Sequence, residues 1–384
     1  MKSYLNKIIN LIKRKFVQDT SQEFERSRKN SDFQSNIKLE TPFQSYLYNF
    51  LNEDFVLLDI GCSGGINKNF IDVFKKKLKA IGFDSNIEEI NHLNNINSNS
   101  KIKYHKGIVK FSSSSVKSKW KDNLRVQSGL GRSILSKSNF KKMNLSEIQQ
   151  NNFYNLTHAS TNIIDIKSYC KQNKINYVDF IKIDLDGLDY LFLDEIDDLP
   201  NQINILGVFI EQMYDNDIRS GLFVDDVNSD SLPNYLSIGQ KMHALNFSLF
   251  DFSHHKYESS VIPGRSIYNF QSQNIYGRII AGDALYLRDP LNKRKKKYKI
   301  NHNKLIKLMM LYDMHCKSSW AAEILISKRK FMESIGIDVE HCLNLITEDS
   351  LKENEIKFLS KNKYKLHKEY LEAFKKDPTI TYPS

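Results

Sequence analysis

Cysteine is scarce in this chain. The four that occur, Cys62, Cys170, Cys316 and Cys342, fall at no CxxC or CxH spacing. That argues against a disulfide framework or a zinc site and suits a reducing cytoplasm. Long apolar runs are missing as well, and none approaches the ~20 residues that span a bilayer. The opening MKSYLNKIINLIKRKFV is too interrupted by lysine and asparagine to read as a signal peptide. These absences predict a soluble, cytoplasmic protein.

Charge of one sign is in excess. Lysine and arginine number 56 against 45 acids, a formal +11 over 384 residues. An excess of this kind suits nucleic acid or an anionic surface. Lysine, asparagine and isoleucine are frequent throughout, however, so the charge reads as a general compositional bias and no nucleic-acid partner is expected.

The run FVLLDIGCSGG carries the most information. Val56, Leu57, Leu58 and Ile60 suit a strand buried on both faces, as in a parallel sheet. The strand delivers Asp59 to a tight turn of Gly61, Cys62, Ser63, Gly64 and Gly65. About 20 residues on, a second strand, AIGFDS, ends in Asp84, where an acid accepts hydrogen bonds from ribose hydroxyls. An adenosine cofactor fits this pair, and a βα turn without ligand is the plainer alternative. A dinucleotide turn wants glycine at its first, third and sixth positions, which here hold Gly61, Ser63 and Ile66. A P-loop ending is absent. What remains, D-x-G-x-x-x-G, resembles the first motif of class I S-adenosylmethionine (SAM) methyltransferases.

Three regions follow. Residues 1–40 form a basic leader with Leu5, Ile8, Ile9, Ile12 and Phe16 at helical spacing. Such a helix packs on its own protein or a partner, or lies on an anionic membrane at the inner face. Residues 41–291 open on Thr41-Pro42-Phe43-Gln44, a capped helix start. They then alternate strands and helices, the pattern of an α/β, doubly wound, mostly parallel sheet of seven strands. Candidate strands are FVLLDI, KAIGFD, KIKYHKGIV, YVDFIKIDLD, ILGVFIEQM, the stretch around NFSLFDF, and AGDALYLRD. The stretch 111–160 reads as an insertion or loop, and KRKKKYK (293–299) as a solvated linker. Residues 292–384 form a helical extension suited to packing or homo-oligomerisation. Its helices read as LIKLMMLYDMHC, WAAEILISKRKFMESIG and SLKENEIKFLSK, the last with Ser350 and Glu353 as a capping box.

The segment YVDFIKIDLDGLDYLFL (177–193) ends a strand in Asp184-Leu185-Asp186-Gly187. Residues i and i+2 share a face, and ligands of such sheets bind beyond the carboxyl ends of the strands. Asp184 and Asp186 there suit orienting or deprotonating a hydroxyl, or holding a divalent cation through oxygen. Asp186 equally suits capping the next helix.

With Asp179, Ile181, Lys182, Ile183, Asp184, Asp186, Gly187 and Asp189 on the pattern D-x-I-K-I-D-V-E-G-x-E, the chain resembles the FkbM family of SAM-dependent methyltransferases. GLGRSIL (129–135) and YGRIIAGDALYLRD (276–289) fit two further family segments, so the resemblance covers about 50–290. Asp186 and Asp189 depart from the family's glutamates, and Cys62-Ser63-Gly64 departs from its commoner Ala-Asn turn. The resemblance implies a Rossmann-like methyltransferase sheet with one antiparallel strand near its end. It also implies methyl transfer to oxygen, commonly a sugar hydroxyl of a glycan, glycolipid or glycosylated metabolite, as in polysaccharide biosynthesis.

On that basis Asp59, Gly61, Cys62, Gly64, Gly65 and Asp84 are the candidate cofactor residues, and Asp184, Asp186 and Glu211 the candidate catalytic ones. His254, His255 and Arg265 are candidates for grasping a small-molecule or glycan acceptor, or belong to a solvated loop. A divalent cation is not implied. Three rivals stand beside this reading. The first is a SAM-fold scaffold without catalysis. The second is a nucleic-acid methyltransferase, although two prolines before an aromatic and a Pro-Cys pair are both absent. The third is an NAD oxidoreductase, disfavoured by the glycine spacing.

Overall fold

A computed structural model describes residues 40–109, 162–185, 189–200, 204–213, 235–257, 278–292, 300–353 and 372. The chain enters through α1 (Pro42–Tyr48), whose N-cap Thr41 and third-position Gln44 exchange side-chain and backbone bonds in the expected capping box. Along the chain follow β1 (Phe55–Ile60), α2 (Lys68–Phe74), β2 (Leu78–Asp84), α3 (Ile87–Ile96), β3 (Ile102–Lys106) and β4 (Ile108–Val109). Next are β5 (Ile163–Ile164), α4 (Ile166–Gln172), β6 (Phe180–Ile183), α5 (Asp189–Glu195) and β7 (Gly207–Met213). After these stand α6 (Tyr235–Ala244), β8 (Phe247–Phe252), β9 (His255–Tyr257) and β10 (Arg278–Arg288). The last helices are α7 (His302–Met314), α8 (Ser318–Ser327), α9 (Arg329–Ser334) and α10 (Val339–Glu353).

The main sheet runs β3-β2-β1-β6-β7-β10-β8, with β9 added to β10. From β3 to β7 every pairing is parallel, while β10 lies antiparallel to β7, β8 and β9. The expected mostly parallel sheet with one antiparallel strand near its end is therefore present. Strand order reverses between β1 and β6, which places a ligand crevice above their carboxyl ends.

Alternation along each strand divides the core in two. Phe55, Leu57, Leu78, Ala80, Phe180, Leu285 and Leu287 pack with α1, α2, α7, α8 and α10. Val56, Leu58, Ile60, Ile181, Ile183, Val208 and Ile210 pack with α4, α5 and α6 on the opposite face. Helix α7 is buried from Asn303 through Met314. Its polar groups meet partners accordingly. The Lys307 ammonium donates to Asp179 at 2.9 Å and to Glu53 at 2.8 Å, and Lys304 also donates to Asp179. Asp313 accepts from Thr41 and Ser318 at 2.6 and 2.7 Å. Asp179 also accepts from the Val56 backbone at 2.8 Å, so one fully buried carboxylate joins two strands to the helical tail.

Three local expectations are corrected. KIKYHKGIV is not one strand. It breaks at Gly107, whose N–H turns to the Asp84 carbonyl at 2.8 Å, and β4 pairs instead with β5. WAAEILISKRKFMESIG breaks at Lys328 (φ −112°, ψ 19°), which leaves the helical ladder and starts the next helix. Ser350 and Glu353 lie within the end of α10 and start no helix. That helix begins at Asp338, which accepts from the His341 N–H at 2.9 Å, and its buried side at Val339, Cys342, Leu343 and Ile346 holds it on the core. The leader, 111–160, GLGRSIL, KRKKKYK and the end of SLKENEIKFLSK lie outside the described residues. Among the described residues no helix is long and apolar enough to cross a membrane.

Candidate active site at the strand ends

The glycine turn closes directly on β6. Gly61 sits at φ +84°, and a Cβ there would lie 1.8 Å from the Asp184 carbonyl oxygen. Only glycine lets the two backbones approach so closely. The turn is pinned from inside by Gly61 and Cys62 N–H bonds to the Phe83 carbonyl, at 2.8 and 3.1 Å. Glu89 of α3 accepts the Gly64 N–H at 3.1 Å, and the Tyr104 hydroxyl accepts the Ile66 N–H at 3.2 Å. Gly65 (φ +87°) faces Leu93 and that same hydroxyl. The Cys62 side chain is fully buried with Ile90 and Leu93, and burial pushes its thiol far above the ordinary range. It shapes the turn and is no nucleophile.

The pairing register aligns the acids. Asp59 pairs with Gly82 on one side and Lys182 on the other. Ile183 pairs with Ile210, and Glu211 with Asp283. Two residues up each strand from the Gly82-Asp59-Lys182 row come Asp84, Gly61 and Asp184, followed across the sheet by Glu211 and Asp283. Four carboxylates thus flank a glycine, at the carboxyl ends of β2, β1, β6 and β7 and midway along the antiparallel β10.

Lys182 holds this row from below. Its ammonium reaches Asp59 at 3.3 Å, Asp184 at 3.1 Å and the Gly61 carbonyl at 3.2 Å. Burial works against its charge, but the two aspartates outweigh that and raise its pKa above the usual lysine range. Asp59, 1 % exposed, is pushed up to about 6 by burial, with Lys182 opposing and Asp184 and Asp84 adding repulsion. Asp84 is also raised by burial, partly offset by the Asn86 N–H it accepts at 2.7 Å. Asp184 stands nearly half exposed at 48 %, its carboxylate open to the crevice.

The structure thus brings Asp59, Gly61, Asp84, Asp184 and Glu211 to one end of the sheet. Glu211 is buried at the β7 tip. Exposed His254 lies between β8 and β9, and His255 opens β9, where its backbone pairs with Ala281 near that tip. Asp186 and Arg265 lie outside the described residues. Asp189 accepts the Leu185 N–H at 2.9 Å and shapes the turn after β6. Asp179 is at the opposite end, on the α7 lysines. The bridging place of Lys182 and the alignment of Asp283 escaped sequence reading, because both depend on register. Among the described residues no cluster of His, Cys, Asp and Glu is suited to hold a metal ion.

No family model and no curated protein matches the chain. Among solved structures it is similar to a SAM-dependent methyltransferase from Aquifex aeolicus, at 11 % identity and TM-score 0.27, over 70 % of this chain and 97 % of that one. It is also similar to M. capricolum TrmK in complex with S-adenosyl-homocysteine, at 10 % identity and TM-score 0.25, over 81 % and 98 %. Similarity this slight carries nothing about activity, and the fold stands on the strand order and directions themselves.

Proposed function

We propose that this crevice binds SAM and transfers its methyl group to a hydroxyl, in the manner of the FkbM family, with a sugar-bearing molecule as acceptor. The observation that carries the reading is the row of aspartates at the ends of three neighbouring strands around Gly61. A row of carboxylates suits a ligand bearing a sulfonium and an ammonium, and disfavours the anionic pyrophosphate of a dinucleotide. Gly64 of the same turn, where a Cβ would meet nothing within 4 Å, leaves open space that a ligand can approach.

SAM supplies an activated methyl on sulfur, so the protein contributes alignment, exclusion of water and a proton acceptor. Asp84 takes the ribose hydroxyls. Asp59 and the turn from Gly61 to Gly65 shape the cationic end. Asp184, steadied by Lys182 and open to the crevice, orients the acceptor hydroxyl and receives its proton as the new carbon–oxygen bond forms. Glu211 faces the acceptor from the next strand.

Calorimetry with SAM and with NAD tests the cofactor. Micromolar SAM binding without NAD binding is expected, and the reverse overturns the reading. Labelled SAM added to a cell extract, fractionated into lipid, glycan and nucleic acid, tests the acceptor. Label in nucleic acid alone excludes the sugar acceptor. An Asp184→Asn variant with full turnover would remove Asp184 from the chemistry, whereas a loss of about 100-fold is expected.

A further inference from the structure

On the far face of the sheet, between α6 and strands β7, β8 and β10, lies a second cavity of about 700 Å³. That volume is in the range of small-molecule sites. Its lining is mostly aliphatic and aromatic, with Gln240, His243 and Ser248 also on it, and Leu236, Leu249 and Phe252 at its sides are each more than half exposed. One buried, mutually bonded polar pair faces it. Gln212 donates to the Tyr286 hydroxyl at 2.9 Å, and both side chains are over nine-tenths buried. Among the described residues this is the only side-chain hydrogen bond either makes. The Tyr286 O–H hydrogen and the Gln212 carbonyl oxygen therefore remain to serve a group inside the cavity. A buried polar group of this kind calls for a partner.

The cavity adjoins the acid row through one strand. Gln212 directly follows Glu211, and successive strand residues point to opposite faces. The tip of β7 thus turns a carboxylate to the crevice and an amide to the cavity.

We propose that this cavity binds an aliphatic chain joined through an ether or ester oxygen, with that oxygen accepting the Tyr286 O–H and the Gln212 carbonyl left to accept from a neighbouring hydroxyl of the ligand. Resting on the methyltransferase reading, the chain belongs to the acceptor, which bends over the β7 tip so that its polar head reaches Asp184. The acceptor is then an alkyl- or acyl-bearing glycoside and not a free sugar.

The test titrates glucose, hexyl glucoside and octyl glucoside, below micelle-forming concentrations, into the full chain by calorimetry. Each buried methylene strengthens binding about fourfold, so octyl should bind roughly fifteenfold tighter than hexyl, and glucose should not bind measurably. Gly239 of α6 provides the blocking variant. A Cβ there meets only the Tyr286 hydroxyl, at an ordinary 3.7 Å. Leucine also favours a helix more than glycine does, so Gly239→Leu fills the cavity without unfolding the chain. It should weaken octyl glucoside at least tenfold and leave SAM affinity unchanged. Equal binding of the two alkyl glucosides, or octyl binding kept within twofold in Gly239→Leu, overturns the proposal. Cavity binding as expected in a protein that ignores SAM overturns the methyltransferase reading and leaves the aliphatic site standing.

Discussion

Gly61 and Asp184 meet backbone to backbone, so closely that a Cβ on the glycine would overlap the aspartate carbonyl. The contact locks the cofactor-side turn to the strand that carries the proposed base. Gly61→Ala must move one backbone and also holds alanine at a positive φ. A loss of more than about 3 kcal/mol is expected from the two effects together. Urea denaturation measures it, and a loss under 1 kcal/mol would contradict the contact.

Lys182 is the only cation bonded to both Asp59 and Asp184 among the described residues. Lys182→Met strands a buried carboxylate, at a cost of about 3–5 kcal/mol. Adding Asp59→Asn removes the stranded charge, so the double variant should be more stable than Lys182→Met alone. Strict additivity in the cycle would contradict the bridge.

Asp59 titrates near pH 6 in the free protein. A cation binds best when this group is ionised, so SAM affinity should climb as pH rises through about 6 and fall below it. Calorimetry at pH 5 and pH 7.5 measures the change. In Asp59→Asn the step should vanish.

Asp179 is the anchor of the tail. Asp179→Ala leaves Lys304 without its carboxylate and Lys307 with Glu53 as its remaining carboxylate beside the Asp54 carbonyl. Removing one partner of a buried ion pair costs about 3–5 kcal/mol, and thermal unfolding should shift downward accordingly. A variant as stable as the parent would show that the cluster contributes nothing.

His315, capping α7, is buried against Phe180, and burial lowers its pKa to about 3. Unfolded, it binds a proton below about 6.5, so between pH 3 and 6.5 the unfolded chain holds more protons. Stability contributed by the neutral ring is complete above pH 6.5 and is lost as pH falls. His315→Phe should therefore gain stability relative to the parent as pH drops from 7 to 5. A difference that stays constant with pH would refute this.

What was legible in the sequence was local or strongly patterned. The unbroken apolar run of β1 and the Thr41–Gln44 box each carry their own signal within a few residues. The same local logic misled at Ser350, where a helix already running from Val339 overrode a start signal, and at Gly107, where the strand changed partner. Lys182 and Asp283 acquire meaning only through register, and Asp179 only through lysines more than 120 positions away. Pattern alone put Asp179 on the family motif without a role, and its place at the foot of the strand supplies a structural one.

The total burial of α7 has a consequence for biosynthesis. One side of the sheet has only α1 and α2 over it until residue 314 has left the ribosome, which leaves the ground of α7 uncovered although the strands of that sheet begin at residue 55. At ~5–20 residues per second the nascent protein spends more than ten seconds with that surface open. It is then a natural client for chaperones, and it completes its fold late in translation.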